Sequence, residues 1–193
     1  SRPCSYLEWS IYQKNTEVNE MKALITGATS GIGKKIAENL NGRGWELILT
    51  GRNKAVLEEM QERLDRCEII TADLSRKSEV YKVYEFCRGK NVDMLVNNAG
   101  FGIFGEFDKT DLENELDMIN VNIVALHILT KLFLRDFKKK NSGTILNVAS
   151  SAGFLTGPLL SSYYASKNYV VRLTLAIARE LKKSRSKVKI SVL

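Results

Sequence analysis

What this chain has little of narrows its class before any motif is read. Its 193 residues include three cysteines, one histidine and two prolines. Cys4, Cys67 and Cys87 are odd in number, form no C-x-x-C pair and lack the spacing of zinc ligands, so neither a disulfide framework nor a zinc module is expected. The lone His127 has no ligand set beside it, so no metal site is expected and the residue reads as structural. Scarce proline and the lack of any low-complexity tract argue against a disordered chain. No apolar run reaches the length of about 18 residues that a membrane span needs. The longest candidate, 121–134, is interrupted by Asn122, His127, Thr130 and Lys131. Residues 1–20 have no continuous apolar stretch like that of a signal peptide and sustain no period, so they read as an extension ahead of a domain that starts at Met21. A cytoplasmic protein without a membrane span is the expectation.

What is present is an ordinary globular composition, 44% hydrophobic and 26% charged, in a chain long enough for one domain with a full core. The formal net charge of +7 raises the question of nucleic acid. Its basic clusters, Lys138 to Lys140 and residues 182–189, follow apolar-patterned stretches and are expected at helix C-termini, where cations complement the helix dipole. No nucleic-acid partner is therefore expected, although a basic surface also suits a polyanionic cofactor.

Strand and helix patterns alternate along the chain. Strands are expected at 22–26, 46–50, 67–71, 92–96 and 143–149, with a sixth starting at 187 and still running at Leu193. Helices are expected at 34–41, 54–64, 76–87 with Ser75 as cap, 110 or 111 to 138 with Asn122 inside it, and 163–183. Such alternation predicts an α/β fold whose parallel sheet is covered on both faces, a doubly wound sheet.

Chemistry enters between the first strand and its helix, at Gly27-Ala28-Thr29-Ser30-Gly31-Ile32-Gly33. Glycines let the backbone turn sharply and approach a pyrophosphate, and the helix N-terminus presents free N–H groups to it. The spacing is G-x-x-x-G-x-G rather than the commoner G-x-G-x-x-G. At the end of the second strand no acid awaits a ribose 2′-hydroxyl; Arg52 stands there instead, suited to a 2′-phosphate, with Lys54 nearby. The fourth strand runs into Asn97-Asn98-Ala99-Gly100, beside the expected ligand crevice. The loop from Gly153 to Leu160 is small and apolar, as a pocket wall would be. Tyr163 and Lys167, four residues apart, share a helix face. An ammonium beside a phenol stabilises phenolate, which makes the pair a usable proton donor and acceptor near neutral pH.

Taken together, the 26–33 turn, Asp73, Asn97-Asn98-Ala99-Gly100, Asn122, Ser150 and the stretch from Tyr163 to Lys167 resemble the short-chain dehydrogenase/reductase superfamily, in its compact single-domain subclass. The resemblance covers residues 22–193 and implies a Rossmann fold with strand order 3-2-1-4-5-6. It implies a nicotinamide dinucleotide, which Arg52 makes NADP(H) in preference to NAD(H), held by Gly27, Thr29, Ser30, Gly31, Ile32, Gly33, Arg52, Asp73, Leu74, Asn97, Ala99 and Gly100, with Tyr163 and Lys167. Tyr163 would be the general acid and base, Ser150 would bond the substrate oxygen, Lys167 would ease proton loss from Tyr163 and bind ribose hydroxyls, and Asn122 would hold a relay water. The substrate would be a small-molecule carbonyl or alcohol, and the long helices would pair subunits into a homodimer or homotetramer. The family's seventh strand and later substrate segment have no counterpart here, so the domain from residue 21 to 193 reads as C-terminally incomplete. A dinucleotide-binding sensor or scaffold without turnover is the alternative.

Overall fold

The computed structural model of the chain describes residues 21–193, and the N-terminal extension expected at 1–20 lies outside the described residues. Six parallel strands, β1 (Lys22–Thr26), β2 (Glu46–Gly51), β3 (Cys67–Thr71), β4 (Met94–Asn97), β5 (Thr144–Asn147) and β6 (Lys189–Val192), lie in the order β3-β2-β1-β4-β5-β6. The central strands are continuous apolar runs because both faces are covered. Ala23, Ile25, Leu47, Leu49 and Val96 face one layer, and Leu24, Ile48, Leu95 and Ile145 the other.

The first layer holds α1 (Gly31–Gly42) and α2 (Lys54–Arg63), which bring Ala37, Leu57 and Met60 onto the sheet. Opposite them lie α3 (Lys77–Cys87), α5 (Leu126–Lys140) and α6 (Ser161–Lys183), with Val83, Leu129, Phe133, Phe137 and Leu181 at the centre of the larger core. The helix expected to run unbroken from about residue 111 is α4 (Leu112–Ile119), then a wide π turn over Asn120–Ala125, then α5. By length and apolar composition alone, Leu112–Lys140 could cross a bilayer, contrary to the sequence expectation. Here its residues Leu126, Leu129, Phe133 and Phe137 are buried in the domain, and a core helix passes the same compositional test.

Two further boundaries differ for local reasons. Ser75 does not cap α3: Asp73 takes the Ser75 N–H at 3.1 Å and its hydroxyl at 3.0 Å in an Asx turn, and the N-cap position falls to Arg76. Strand β6 ends at Val192, while Leu193 still exchanges backbone bonds with Asn147 and Ala149.

A buried polar chain holds the middle of the sheet to its helices. The Asn97 amide donates to Asn147 Oδ1 at 2.9 Å and Thr130 Oγ1 at 3.0 Å, and Asn147 donates to Thr174 Oγ1 at 2.9 Å. Replacing Asn147 by Ala leaves Asn97 and Thr174 short of partners. The expected loss is about 2–3 kcal/mol, read as a lower urea midpoint with an unchanged m-value.

Candidate active site

The site forms where β1 and β4, neighbours in the sheet, send their chains to opposite layers. The Thr26 hydroxyl at the end of β1 accepts the N–H groups of both Asn98 and Ala99 at 3.0 Å. Asn98 answers by donating its amide to Thr26 O at 3.1 Å and Gly27 O at 3.0 Å. The glycine turn is thus tied to the end of β4 from both sides. Gly27 adopts φ +63°, and a Cβ on Gly33 would collide with the Gly27 carbonyl and the Asn98 amide, so both positions exclude a side chain.

Helix α1 begins at Gly31, earlier than the pattern from residue 34 indicates, so the glycine turn itself forms its first turn. Ser30 at the N-cap makes no side-chain cap bond, and the first turn holds no acid. That first turn borders a cavity of about 480 Å³, and no side chain among the described residues caps its N–H groups. Gly27, Thr29, Ser30, Gly31, Ile32, Arg52, Asp73, Leu74, Ala99, Gly100, Tyr163 and Lys167 all line this cavity, brought from five separate stretches of sequence. Asn53, Asn98, Phe101, Val121 and Val148 also line it and were not singled out as contacts.

Several residues expected at the cavity stand elsewhere. Asn97 is turned into the core by its bonds to Thr130 and Asn147, so the amide at the cavity is that of Asn98. Gly33 sits behind the turn. Lys54 pairs with Glu58 at 3.5 Å and does not reach the cavity with Arg52. Arg52 is exposed and has no ion pair among the described residues. Asn122, 1% exposed, bonds the Phe101 backbone from both ends of its amide, at 3.1 and 2.9 Å, and donates to Ser166 Oγ at 3.0 Å. Ser150 caps the 3-10 turn Ser151–Phe154, accepting the Ala152 N–H at 3.2 Å.

Tyr163 and Lys167 lie one turn apart on α6, the lysine Nζ 5.8 Å from the phenol ring centroid. Lys167 is 5% exposed and donates to the Val148 carbonyl at 3.1 Å, with no carboxylate paired to it among the described residues. Burial lowers its pKa from the ordinary lysine value. The thiols at Cys67 and Cys87 are free, pushed up by burial to about 11 and about 12, and remain protonated. No cluster of metal-ligating side chains occurs among the described residues.

An open helix N-terminus over close-packed glycines, a cationic rim at Arg52 and a buried lysine fit the phosphates, ribose and ring of a dinucleotide. Residues 21–193 match the family model for short chain dehydrogenases, and the chain belongs to that family of oxidoreductases. It is 35% identical over 158 residues to a very-long-chain 3-oxoacyl-CoA reductase of Anas platyrhynchos, covering 77% of this chain and 51% of that one. The chain thus spans about half the length of that relative. Among solved structures, a short-chain dehydrogenase from Sphingobium yanoikuyae in complex with NADPH superposes with TM-score 0.81 at 31% identity, over 89% of this chain and 70% of that one. A short chain dehydrogenase/reductase from Burkholderia phymatum in complex with NAD gives 0.83 at 27%, over 89% and 64%.

The collision at Gly33 involves backbone, which cannot move aside. Gly33→Ala is expected to cost about 1–3 kcal/mol and to weaken dinucleotide binding. Thermal unfolding with and without NADPH checks both, and an unchanged melting profile contradicts the packing described.

Proposed function

We propose that the protein is an oxidoreductase that uses NADP(H) to interconvert a carbonyl and a secondary alcohol, with Tyr163 as general acid and base. The observation that carries the reading is the half-buried Tyr163 beside the buried Lys167, at one end of a cavity whose other end is an open helix N-terminus. A bound nicotinamide supplies or accepts the hydride. The chain's own residues supply binding, orientation and the proton.

As reduction proceeds, negative charge develops on the carbonyl oxygen and the Tyr163 hydroxyl donates its proton there. That hydroxyl has no protein partner competing for it among the described residues. Lys167 stabilises the phenolate left behind and would hold the ribose hydroxyls of the bound cofactor. Ser150, whose oxygen accepts from Ala152, keeps its own proton for the substrate oxygen. Both amide hydrogens of Asn122 are engaged, so what it offers a relay water is an acceptor oxygen.

Arg52 and the lack of an acid at the end of β2 support NADP(H) over NAD(H). Asp73 and Leu74 support an adenine seat at the same end. The exposed Phe104, on the loop that packs on Tyr163 through Gly102, and the exposed Phe154 and Leu155, on the segment that precedes α6, support a lipophilic substrate. Exposed Leu112 and Leu116 on α4 and Leu175 on α6 support pairing of two copies through the long helices. The free thiols at Cys67 and Cys87 support a reducing, cytoplasmic compartment.

In the full-length protein, Tyr163→Phe is expected to lower kcat by about 10²- to 10⁴-fold while NADPH affinity is kept. Undiminished turnover contradicts the assignment, and cofactor binding with no turnover against a panel of ketones, aldehydes and acyl-thioester ketones favours a sensor or scaffold. Arg52→Ala is expected to weaken NADPH about tenfold or more and leave NADH unchanged. Titrating both cofactors checks this, and equal weakening of the two removes Arg52 from 2′-phosphate recognition.

A further inference from the structure

One buried carboxylate in the domain takes no part in the chemistry above. Glu115, on the first turn of α4, is 8% exposed and has no cation paired with it among the described residues. Its carboxylate is used entirely on hydroxyls. It accepts Ser162 Oγ at 2.7 Å and also the hydroxyl of Thr110. The hydrogen bond from Thr110 and then that from Ser162 hold its pKa below the ordinary carboxylate value, so the tether is charged at neutral pH.

The two hydroxyls belong to the segments that bracket Tyr163. Ser162 immediately precedes it, in a first turn of α6 that has no side-chain cap at Leu160 and no acid of its own. A carboxylate there also complements the positive end of the α6 dipole. Thr110 ends the loop that begins at Gly100, and this loop packs on Tyr163: a Cβ on Gly102 would lie 3.1 Å from the phenol ring. The same loop is bonded to the segment before α6 through Gly105 N–H and Leu159 O at 2.9 Å. Glu115 therefore joins α4, the wall behind the phenol and the turn that carries it.

We infer that Glu115 is a positioning residue for Tyr163: by holding Ser162 and Thr110 together it fixes the direction of the phenol against Gly102 and Lys167. This rests on the oxidoreductase reading for its consequence in turnover, and not for its geometry. The two hydroxyl bonds outweigh the desolvation that opposes the charge, so the carboxylate stays ionised where it joins the two segments. What it supplies is a fixed distance between two segments far apart in sequence.

The test uses the full-length protein with Glu115→Ala, Glu115→Gln and Ser162→Ala. Positional slack in a catalytic group costs between about tenfold and a hundredfold in rate. That loss is expected in kcat for Glu115→Ala and Ser162→Ala, with NADPH affinity unchanged and no further loss in the double variant. Glu115→Gln, which keeps one acceptor oxygen, recovers part of it. Full kcat in either alanine variant, or kcat and NADPH affinity falling in parallel, overturns the inference; if Glu115→Ala fails to fold, Ser162→Ala alone decides. A second readout needs no turnover. In protein labelled with [13Cζ]tyrosine, the Tyr163 resonance, assigned by its loss in Tyr163→Phe, is expected to shift or broaden in both alanine variants. An unmoved resonance overturns the positioning role, and a moved one in a protein without turnover upholds it while removing the oxidoreductase reading.

Discussion

The Thr26 hydroxyl accepts two successive backbone N–H groups, those of Asn98 and Ala99, and the Asn98 amide returns two bonds to the chain that leaves β1. This small clasp decides where the cavity lies. The ends of two adjacent strands are locked together just where their chains part to opposite layers, so the gap between the departing segments cannot close. The glycine turn is pressed against the clasp, which leaves no room for a side chain at Gly33 and aims the first turn of α1 into the gap. On the far side Gly100 and Phe101 emerge from the same clasp, and Asn122 holds the Phe101 backbone. The glycine-turn end of the cavity and the Tyr163 end are thus set by one arrangement of hydrogen bonds.

At the Tyr163 end, packing and charge oppose each other. Burial works against the Lys167 ammonium, whose one acceptor among the described residues is a neutral carbonyl, Val148 O. A cation kept this dry acts strongly on its neighbours, because little water screens it. Lys167 is placed by the same helix turn that places Tyr163, and the wide π turn at Asn120–Ala125 lets Asn122 reach both Phe101 and Ser166 beside them. Irregular turns of this kind are common at functional sites, where a helix must present a side chain that the regular period would turn away.

Much of this was legible in the chain because glycines, apolar runs and helix spacing report local geometry. β1 and β3 fall on the residues expected, and the sheet order is the one implied by the resemblance. What was illegible depended on contacts across the fold. Asn97 and Asn98 are adjacent residues of one type, and strand alternation sends them to opposite sides; only the register shows which one faces the cavity. Asn122 signalled an interior polar residue, but a residue count cannot distinguish an α turn from a π turn. Glu115 reads as one more charge on an exposed helix face, since its partner Ser162 lies 47 positions away. Ser75 had the chemistry of a cap, and Asp73 two residues earlier took the turn instead.

The central claim is that the phenol of Tyr163 completes a hydride transfer at a carbonyl carbon. The most direct measurement follows deuterium from NADPH carrying deuterium at both positions of nicotinamide C4, given to the full-length protein with a lipophilic ketone. The account predicts a secondary alcohol carrying one deuterium on its carbinol carbon for each NADPH oxidised. Tight NADPH binding with no label passed to any carbonyl substrate would contradict it.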